Sequence, residues 1–368
     1  MRWATWEETD HLRRWQGKIL DALGYGPLET PARVVLDEPG FILREYRDNP
    51  RTGPVVLIIP APIKRAYIWD LAPNCSVVRR CIDSGLRVYL IQWQPPPENF
   101  GLEDYARRII GECLDAIEAE AEQEHPFLLS HSLGGTLAAI YSALHPQRPG
   151  GLVLLASPLH FSLESRSGVL GPAIAKFVGG GGLKNRSGNI PGSLLAFLSF
   201  AASPETFGSG RWTDWLQSLT DSTAMSTHLR VERWALDELP LSRQLVNDIV
   251  QRLYQEDSLM RGRVVFNGLR AAPQDIAAPV LIVADRRCLV VPPAAILPFY
   301  QALSGQKNQL LWYGGDTGVA IQHVGMLVGK TAHQNLWPSI TDWMHKVARS
   351  RQLPQNKESG VPAQNDRP

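Results

Sequence analysis

Residues 126–146 read PFLLSHSLGGTLAAIYSALHP. An apolar run ends on Ser130-His131-Ser132, two glycines follow at Gly134 and Gly135, and an alanine-rich helical stretch begins. Strand, sharp turn bearing a nucleophile, and helix together make a nucleophile elbow, normally written G-x-S-x-G. The glycines matter because the nucleophile's backbone is strained, and a side chain beside it would collide with the neighbouring strand or helix. Ser130, a small residue, stands at the first glycine position, while Gly134 and Gly135 are kept. Ser132 is then expected at a helix N-terminus, where the dipole and the free N–H of Leu133 favour a developing oxyanion. The plainer alternative is a serine that only caps an ordinary helix.

The surrounding rhythm favours the elbow. PVVLIIPAP, RVYLIQW, PFLLS and GGLVLLASP are short apolar runs that read as buried strands, with the helical segments SVVRRCIDSGL and LEDYARRIIGECLDAIEAEAEQ between them. Such alternation predicts a mostly parallel sheet with helices on both faces. The pattern breaks over residues 162–272, where VGGGGLKNRSGNIPG and tryptophan-bearing helical stretches indicate an inserted helical cap. The sheet resumes with APVLIVAD and NQLLWY, and PSITDWMHKVARS reads as a closing helix. The expected organisation is therefore an N-terminal helical and extended segment (1–50), a first core part (51–161), the cap (162–272), a second core part (273–348) and a disordered tail (349–368). Gly179–Gly182 lack the G-K-[ST] ending of a phosphate cradle and read as a flexible cap loop.

A serine hydroxyl needs a base, and in this arrangement the chain order is nucleophile, acid, histidine. His323, in AIQHVGMLVG, lies after the last strand and before the closing helix, where the base belongs. His333 and His345 fall in or near that helix and read as surface residues, and His131 sits at an elbow position that points away. Asp285 is the carboxylate at the end of PVLIVAD and is the expected acid. The second oxyanion donor should come from IIPAPIKR. Pro62 has no N–H, so Ala61 or Ile63 must supply it; Leu133 and Ile63 are the expected pair.

Composition narrows the partners. A net charge of +1 offers no reason to expect a polyanion such as nucleic acid. No apolar run approaches the ~20 residues of a membrane span, and the charged N-terminus lacks a signal peptide's apolar stretch. Cys75, Cys81, Cys113 and Cys288 have no C-x-x-C spacing, so neither a zinc site nor a disulfide framework is indicated. A cytoplasmic setting follows as the default, with no metal and no resident cofactor expected.

From about residue 50 to residue 348 the chain resembles the polyhydroxyalkanoate synthases, nearest the catalytic subunit of the short two-subunit class. The resemblance is carried by APIKRAYIWDL, DSGLRVYLIQW, GGTLAAIYSALHP, LVVPPAA, and above all RVERWALDELPLSRQLVNDIVQRLYQEDSL and QHVGMLVGKTAHQNLWPSITDWM. It implies an α/β-hydrolase fold with a helical cap, and acyl transfer from hydroxyacyl thioesters or esters, with a growing polyester or water as acceptor. Coenzyme A enters only as part of the substrate. The resemblance also implies a second synthase subunit or a homodimer as partner, and association with polymer granules. Three positions depart from the family pattern. Ser132 replaces the family's cysteine; the aspartate position, counted back from Pro292-Pro293, holds Cys288; and the histidine after it is Leu289. Asp285 would replace the family acid only if that loop were reshaped. The expected chemistry is acyl transfer through Ser132 with His323 as base; the rival expectation is a non-catalytic relative or granule protein that keeps the fold.

Overall fold

Strand periodicity turns a continuous apolar run into a sheet covered on both sides, because successive side chains point to opposite faces. In Val55–Ile59, Leu57 and Ile59 pack into one buried cluster while Val56 and Ile58 pack into the other. The same split separates Leu152 and Leu154 from Val153 and Leu155. Each such side chain contributes about 1.5–3 kcal/mol on leaving water.

The computed structural model describes residues 3–46, 48, 52–121, 125–161 and 188–352. Its eight-stranded sheet contains β1 (Ala32–Glu38), β2 (Phe41–Tyr46), β3 (Val55–Ile59), β4 (Arg87–Trp93), β5 (Phe127–His131) and β6 (Gly151–Leu155). A separate hairpin, β7 (Val264–Phe266) and β8 (Leu269–Ala271), comes next in the chain, followed by β9 (Val280–Asp285) and β10 (Gln309–Tyr313) of the main sheet. The order is β1-β2-β4-β3-β5-β6-β9-β10; β1–β2 and β2–β4 are antiparallel and the remaining pairs are parallel. From β3 the chain steps first to β4 on one side and then to β5 on the other. That reversal opens a crevice at the carboxyl ends of the central strands.

Among the described residues the α-helices are α1 (Trp3–Leu20), α2 (Val77–Asp83), α3 (Ile109–Ala121), α4 (Leu133–Leu144), α5 (Gly192–Ala202), α6 (Gly210–Ser218), α7 (Ser222–Ala235), α8 (Arg243–Asp248), α9 (Leu297–Ala302), α10 (Gly325–Val328) and α11 (Trp337–Gln352). Side chains of α3, α4 and α9 cover one face, and those of α2, α10 and α11 cover the other. Between β6 and β9 the chain leaves the sheet to form α5–α8 and the β7–β8 hairpin. This is an α/β-hydrolase fold: a mostly parallel central sheet flanked by helices, with helical insertions.

Three features differ from the sequence reading. Two strands of the main sheet lie before residue 51, where the core was expected to begin: β1 and β2 form a hairpin about Gly40 (φ 88°), and Phe41 of β2 pairs with Trp93 of β4. Much of β1 is exposed, so its sequence lacks the apolar alternation that marks a strand. The insertion is not all helical, because Asn267 (φ 49°) and Gly268 (φ 79°) close the β7–β8 hairpin, as Asn-Gly turns do. The closing helix continues to Gln352, past the expected boundary at residue 348. Gly179–Gly182 and residues 353–368 lie outside the described residues.

At Gly134, an added Cβ would land on the carbonyl oxygen of Ile59 and 2.8 Å from the carbonyl carbon of Pro60. At Gly135 it would come within 2.5 Å of Ser157 Cβ. Both neighbours belong to the sheet or its strand ends, so α4 must shift to relieve the clash. Gly134→Ala is therefore expected to lower stability by at least about 1–3 kcal/mol, the usual range for overpacking, read as a fall in the urea midpoint. An unchanged midpoint would mean that α4 sits less tightly on β3 than this geometry requires.

Candidate active site

Ser132 follows the last residue of β5 and precedes the first residue of α4. Its backbone has φ 55° and ψ −135°, a conformation that costs a non-glycine residue about 1–3 kcal/mol. The surroundings hold it there. Ser132 N–H donates to Leu155 C=O at 3.0 Å, and Gly135 N–H donates to Ser132 C=O at 2.9 Å. Ser130, at the first glycine position, turns its buried hydroxyl to Val153 C=O at 3.1 Å. A small polar residue is accepted at that position because its one hydroxyl finds a backbone acceptor.

Ser132 and His323 line one cavity of about 420 Å³, together with Ala61 and Ile63 of the loop after β3. Leu133 is the first residue of α4, and its N–H is among the four that a helix start leaves without an intrahelical partner. The Ile63 carbonyl accepts from Leu239 N–H at 3.0 Å, and the Pro60 carbonyl from Trp93 Nε1–H at 2.8 Å, so both ends of this loop are tied down. Trp6, Thr9 and Arg13 of α1 also reach the cavity, beside the aromatic side chains Phe197 and Phe200 of α5. Helix α1 is fastened to α5 by Ser193 N–H donating to Asp10 Oδ1 at 2.7 Å and Ser193 Oγ–H donating to Trp6 C=O at 2.8 Å. Arg13 and Lys64 share the buried carboxylate of Glu238, and burial lowers the pKa of Lys64. The sequence carried no signal that the first helix walls the site.

His323 sits in a short helical turn, Gln322–Val324, after β10. Its Nε2 is buried with no hydrogen-bond partner, so Ser132 is not bonded to it in this conformation. Its Nδ1 lies 3.4 Å from Cys288 Sγ. Asp285 is elsewhere engaged: Oδ1 accepts from Arg287 N–H at 2.8 Å, while Oδ2 is buried without a partner. Asp285 therefore makes no hydrogen bond to the histidine. The turn after β9 folds that carboxylate onto its own backbone, Cys288 N–H donating to Asp285 C=O at 3.3 Å, and this brings the thiol to the ring. The count back from Pro292-Pro293 marked this place; the strand-end reading did not.

His131 was expected to point away, yet its Nε2–H donates to the His323 carbonyl at 2.8 Å, and the two rings lie 4.5 Å apart. Burial pushes His131 down to about 4. Burial, with the neighbouring His131, also holds His323 well below the ordinary histidine range. The Cys288 thiol is pushed up to about 11 by burial, so at neutral pH it is protonated and presents no negative charge to His323. All four cysteines are free and buried. His333 is also buried, its Nε2–H bonded to Leu327 C=O at 2.8 Å, contrary to the expectation of a surface residue.

The family model described as the alpha/beta hydrolase family matches residues 65–315. The chain belongs to the alpha/beta hydrolase family. Across most of its length this hydrolase is related, at low identity, to poly(3-hydroxyalkanoate) polymerase subunits PhaC. It is 26% identical to that of Haloferax mediterranei over 86% of this chain and 64% of the relative, so it spans just under two thirds of that protein's length. It is 26% identical to that of Allochromatium vinosum over 93% of this chain and 97% of the relative, and 28% identical to that of Synechocystis sp. over 86% and 84%. Among solved structures, the Paleococcus ferrophilus monoacylglycerol lipase superposes with a TM-score of 0.52 at 16% identity, over 81% of this chain and 96% of that one; this is a likeness of fold alone. Among the described residues, no helix is long and apolar enough to cross a membrane.

The buried histidines set a pH dependence of stability. Burial lowers His131 and His333 to about 4 in the folded state, whereas an unfolded histidine titrates near ~6.5. Below pH ~6.5 the unfolded chain takes up protons that the folded chain refuses, so stability is full above that value and falls until about pH 4. The urea midpoint should drop between pH 7 and pH 5, and His333→Gln should make the drop shallower. A midpoint independent of pH over that window would contradict the burial of these rings as neutral groups.

Proposed function

We propose that this hydrolase catalyses acyl transfer through Ser132, with His323 as general base and the N–H groups of Leu133 and Ile63 as oxyanion donors. The single observation that carries this reading is a strained serine at a helix start, sharing one largely apolar cavity with the unpartnered Nε2 of a buried histidine. Ser132 Oγ attacks the substrate carbonyl and passes its proton to His323 Nε2. The leaving thiol or alcohol takes that proton, and an acyl-serine ester remains. Water or a hydroxyl of a second acyl unit then attacks the ester, His323 takes its proton and passes it to the departing Ser132 Oγ, and the free enzyme is restored. The relation to PhaC subunits supports a hydroxyacyl thioester or polyester as substrate, with coenzyme A as leaving group, and a granule setting with a second subunit or a second copy as partner.

The serine and the thiol change the energetics. A thiolate exchanges acyl groups with a thioester at near balance, whereas a serine oxyester favours hydrolysis or alcoholysis and leans harder on its base. A carboxylate facing Nδ1 would hold the proton there and leave the Nε2 lone pair for Ser132; a neutral thiol fixes neither tautomer and does not stabilise the imidazolium. Ester hydrolysis or slow synthesis therefore fits this site better than fast polymerisation. The second reading, a non-catalytic relative, is favoured by the same protonated thiol and by the exposed Leu289 beside it.

A fluorophosphonate probe should label the wild type and not Ser132→Ala; equal labelling of both would remove Ser132 from the mechanism, and no labelling of either would favour the non-catalytic reading. Cys288→Asp places a carboxylate opposite Nδ1 and should raise kcat on short p-nitrophenyl esters by about ten-fold or more. Asp285→Asn tests the other carboxylate: with Oδ1 bonded to its own loop and neither oxygen bonded to His323, the substitution should cost less than about three-fold in kcat. Hydroxybutyryl-coenzyme A, assayed for thiol release and for polymer, separates hydrolysis from synthesis.

A further inference from the structure

The loop that carries His323 is glycine-rich and strained. Gly314, Gly315 and Gly318 lie between β10 and the histidine, with φ 84° at Gly315 and 79° at Gly318. Ala320 has φ 55°, and Ile321 N–H reaches back to Val319 C=O at 2.5 Å, a γ-turn at a residue that resists positive φ. Such a loop does not hold its shape alone. What holds it comes from the insertion between β6 and β9. Asp214, in the middle of α6, is buried, and its carboxylate accepts from Gly318 N–H at 2.9 Å (Oδ1) and Ala320 N–H at 2.7 Å (Oδ2). His228 of α7 donates a third hydrogen bond, Nδ1–H to Oδ2 at 2.7 Å. The far side of His228 faces Glu232, its Nε2 3.7 Å from Oε1, and Glu232 is paired with Arg211, a residue of the cavity wall. Gly318 also packs flat on α7: an added Cβ would lie 2.6 Å from Ala224 Cβ.

We propose that Asp214 is a positioning residue for His323: its carboxylate clamps the strained turn at Gly318–Ala320 to helix α6, so that seating of the insertion on the core and correct placement of the base are one event. Three donors converge on one carboxylate, and charge-assisted hydrogen bonds of this kind are about twice as strong as neutral ones. Burial alone would raise the pKa of Asp214; the bonds from His228, Ala320 and Gly318 outweigh it and hold the group below the ordinary carboxylate range. Neither Asp214 nor His228 lines the cavity that holds Ser132; the hydrogen bonds of the clamp to the loop fall on its backbone, the nearer of them three residues ahead of the base. A displacement of His323 by about 1 Å would cost on the order of a hundred-fold in rate.

This inference rests on His323 serving as base, and its test separates the two ideas. Amide hydrogen exchange reads the clamp without any activity: the N–H groups of Gly318 and Ala320 should be protected in the wild type and exchange faster in Asp214→Asn, which puts an amide N–H against one of them. Kinetics on a p-nitrophenyl ester read the consequence: kcat should fall about 10- to 100-fold with KM within about two-fold. In a His323→Ala background the same substitution should cost nothing further, since it acts through the missing ring. If Asp214→Asn does not fold, the pair His228→Asn and His228→Phe decides. Asn keeps a donor near the Nδ1 position and should stay close to wild type, whereas Phe should lose kcat. Unchanged exchange at Gly318 and Ala320 overturns the clamp. Faster exchange with unchanged kcat, an equal loss in the His323→Ala background, or equal losses in both His228 variants overturns the positioning role. A wild type that neither turns over ester nor takes the fluorophosphonate probe defeats the acyl-transfer reading and leaves the exchange result to judge the clamp.

Discussion

The contact on which the site depends is the closeness of α4 to the ends of β3 and β6. Gly134 and Gly135 allow a helix to begin where any side chain would strike Ile59, Pro60 or Ser157. That approach leaves no room for a relaxed strand-to-helix connection, so Ser132 is held at positive φ with its hydroxyl at the cavity. The strain at one residue is small beside the burial of β5 and α4, which are almost entirely out of contact with water. A well-packed core thus holds the serine in place, and the serine adds nothing to the stability of the core.

Charge is the unusual feature of this site. His323 has a neutral imidazole opposite one side of its ring, a protonated thiol at Nδ1 and no partner at Nε2. Its surroundings favour the neutral form, since burial penalises the imidazolium and His131 adds no compensating charge. Such a ring remains a free base at neutral pH but gains little when it must carry a proton. The nearby carboxylates are engaged elsewhere, Asp285 with its own turn and Asp214 with the loop leading to His323.

The insertion and the first helix do more than cover the crevice. Helix α1 supplies cavity wall, ties α5 through Asp10 and Ser193, and reaches Glu238 through Arg13, while Glu238 also binds Lys64 of the loop after β3. Asp214 and His228 connect α6 and α7 to the other side of the site. Elements remote in sequence thereby hold both loops that flank Ser132, the one bearing Ile63 and the one bearing His323.

The sequence by itself determined the fold and the serine elbow, because both rest on local signals: apolar runs of strand length, their alternation with helices, and small residues around Ser132 that only a sharp, crowded turn requires. Chain order singled out His323, and the structure places it at the same cavity as Ser132. The partner of His323 was not, because Asp285 and Cys288 are only three residues apart and the direction of each side chain is set by the turn after β9. Nor did local pattern reveal the exposed strand β1, the cavity wall from α1, the hydrogen bond from His131 or the clamp from Asp214. The last joins residues 104 and 106 positions apart. A carboxylate in mid-helix reads as surface in any window of sequence, and only packing of the insertion against the histidine loop buries it and supplies its three donors. Tertiary structure decides such contacts because their free energy comes from groups that the chain brings together only after the sheet and its helices are in place.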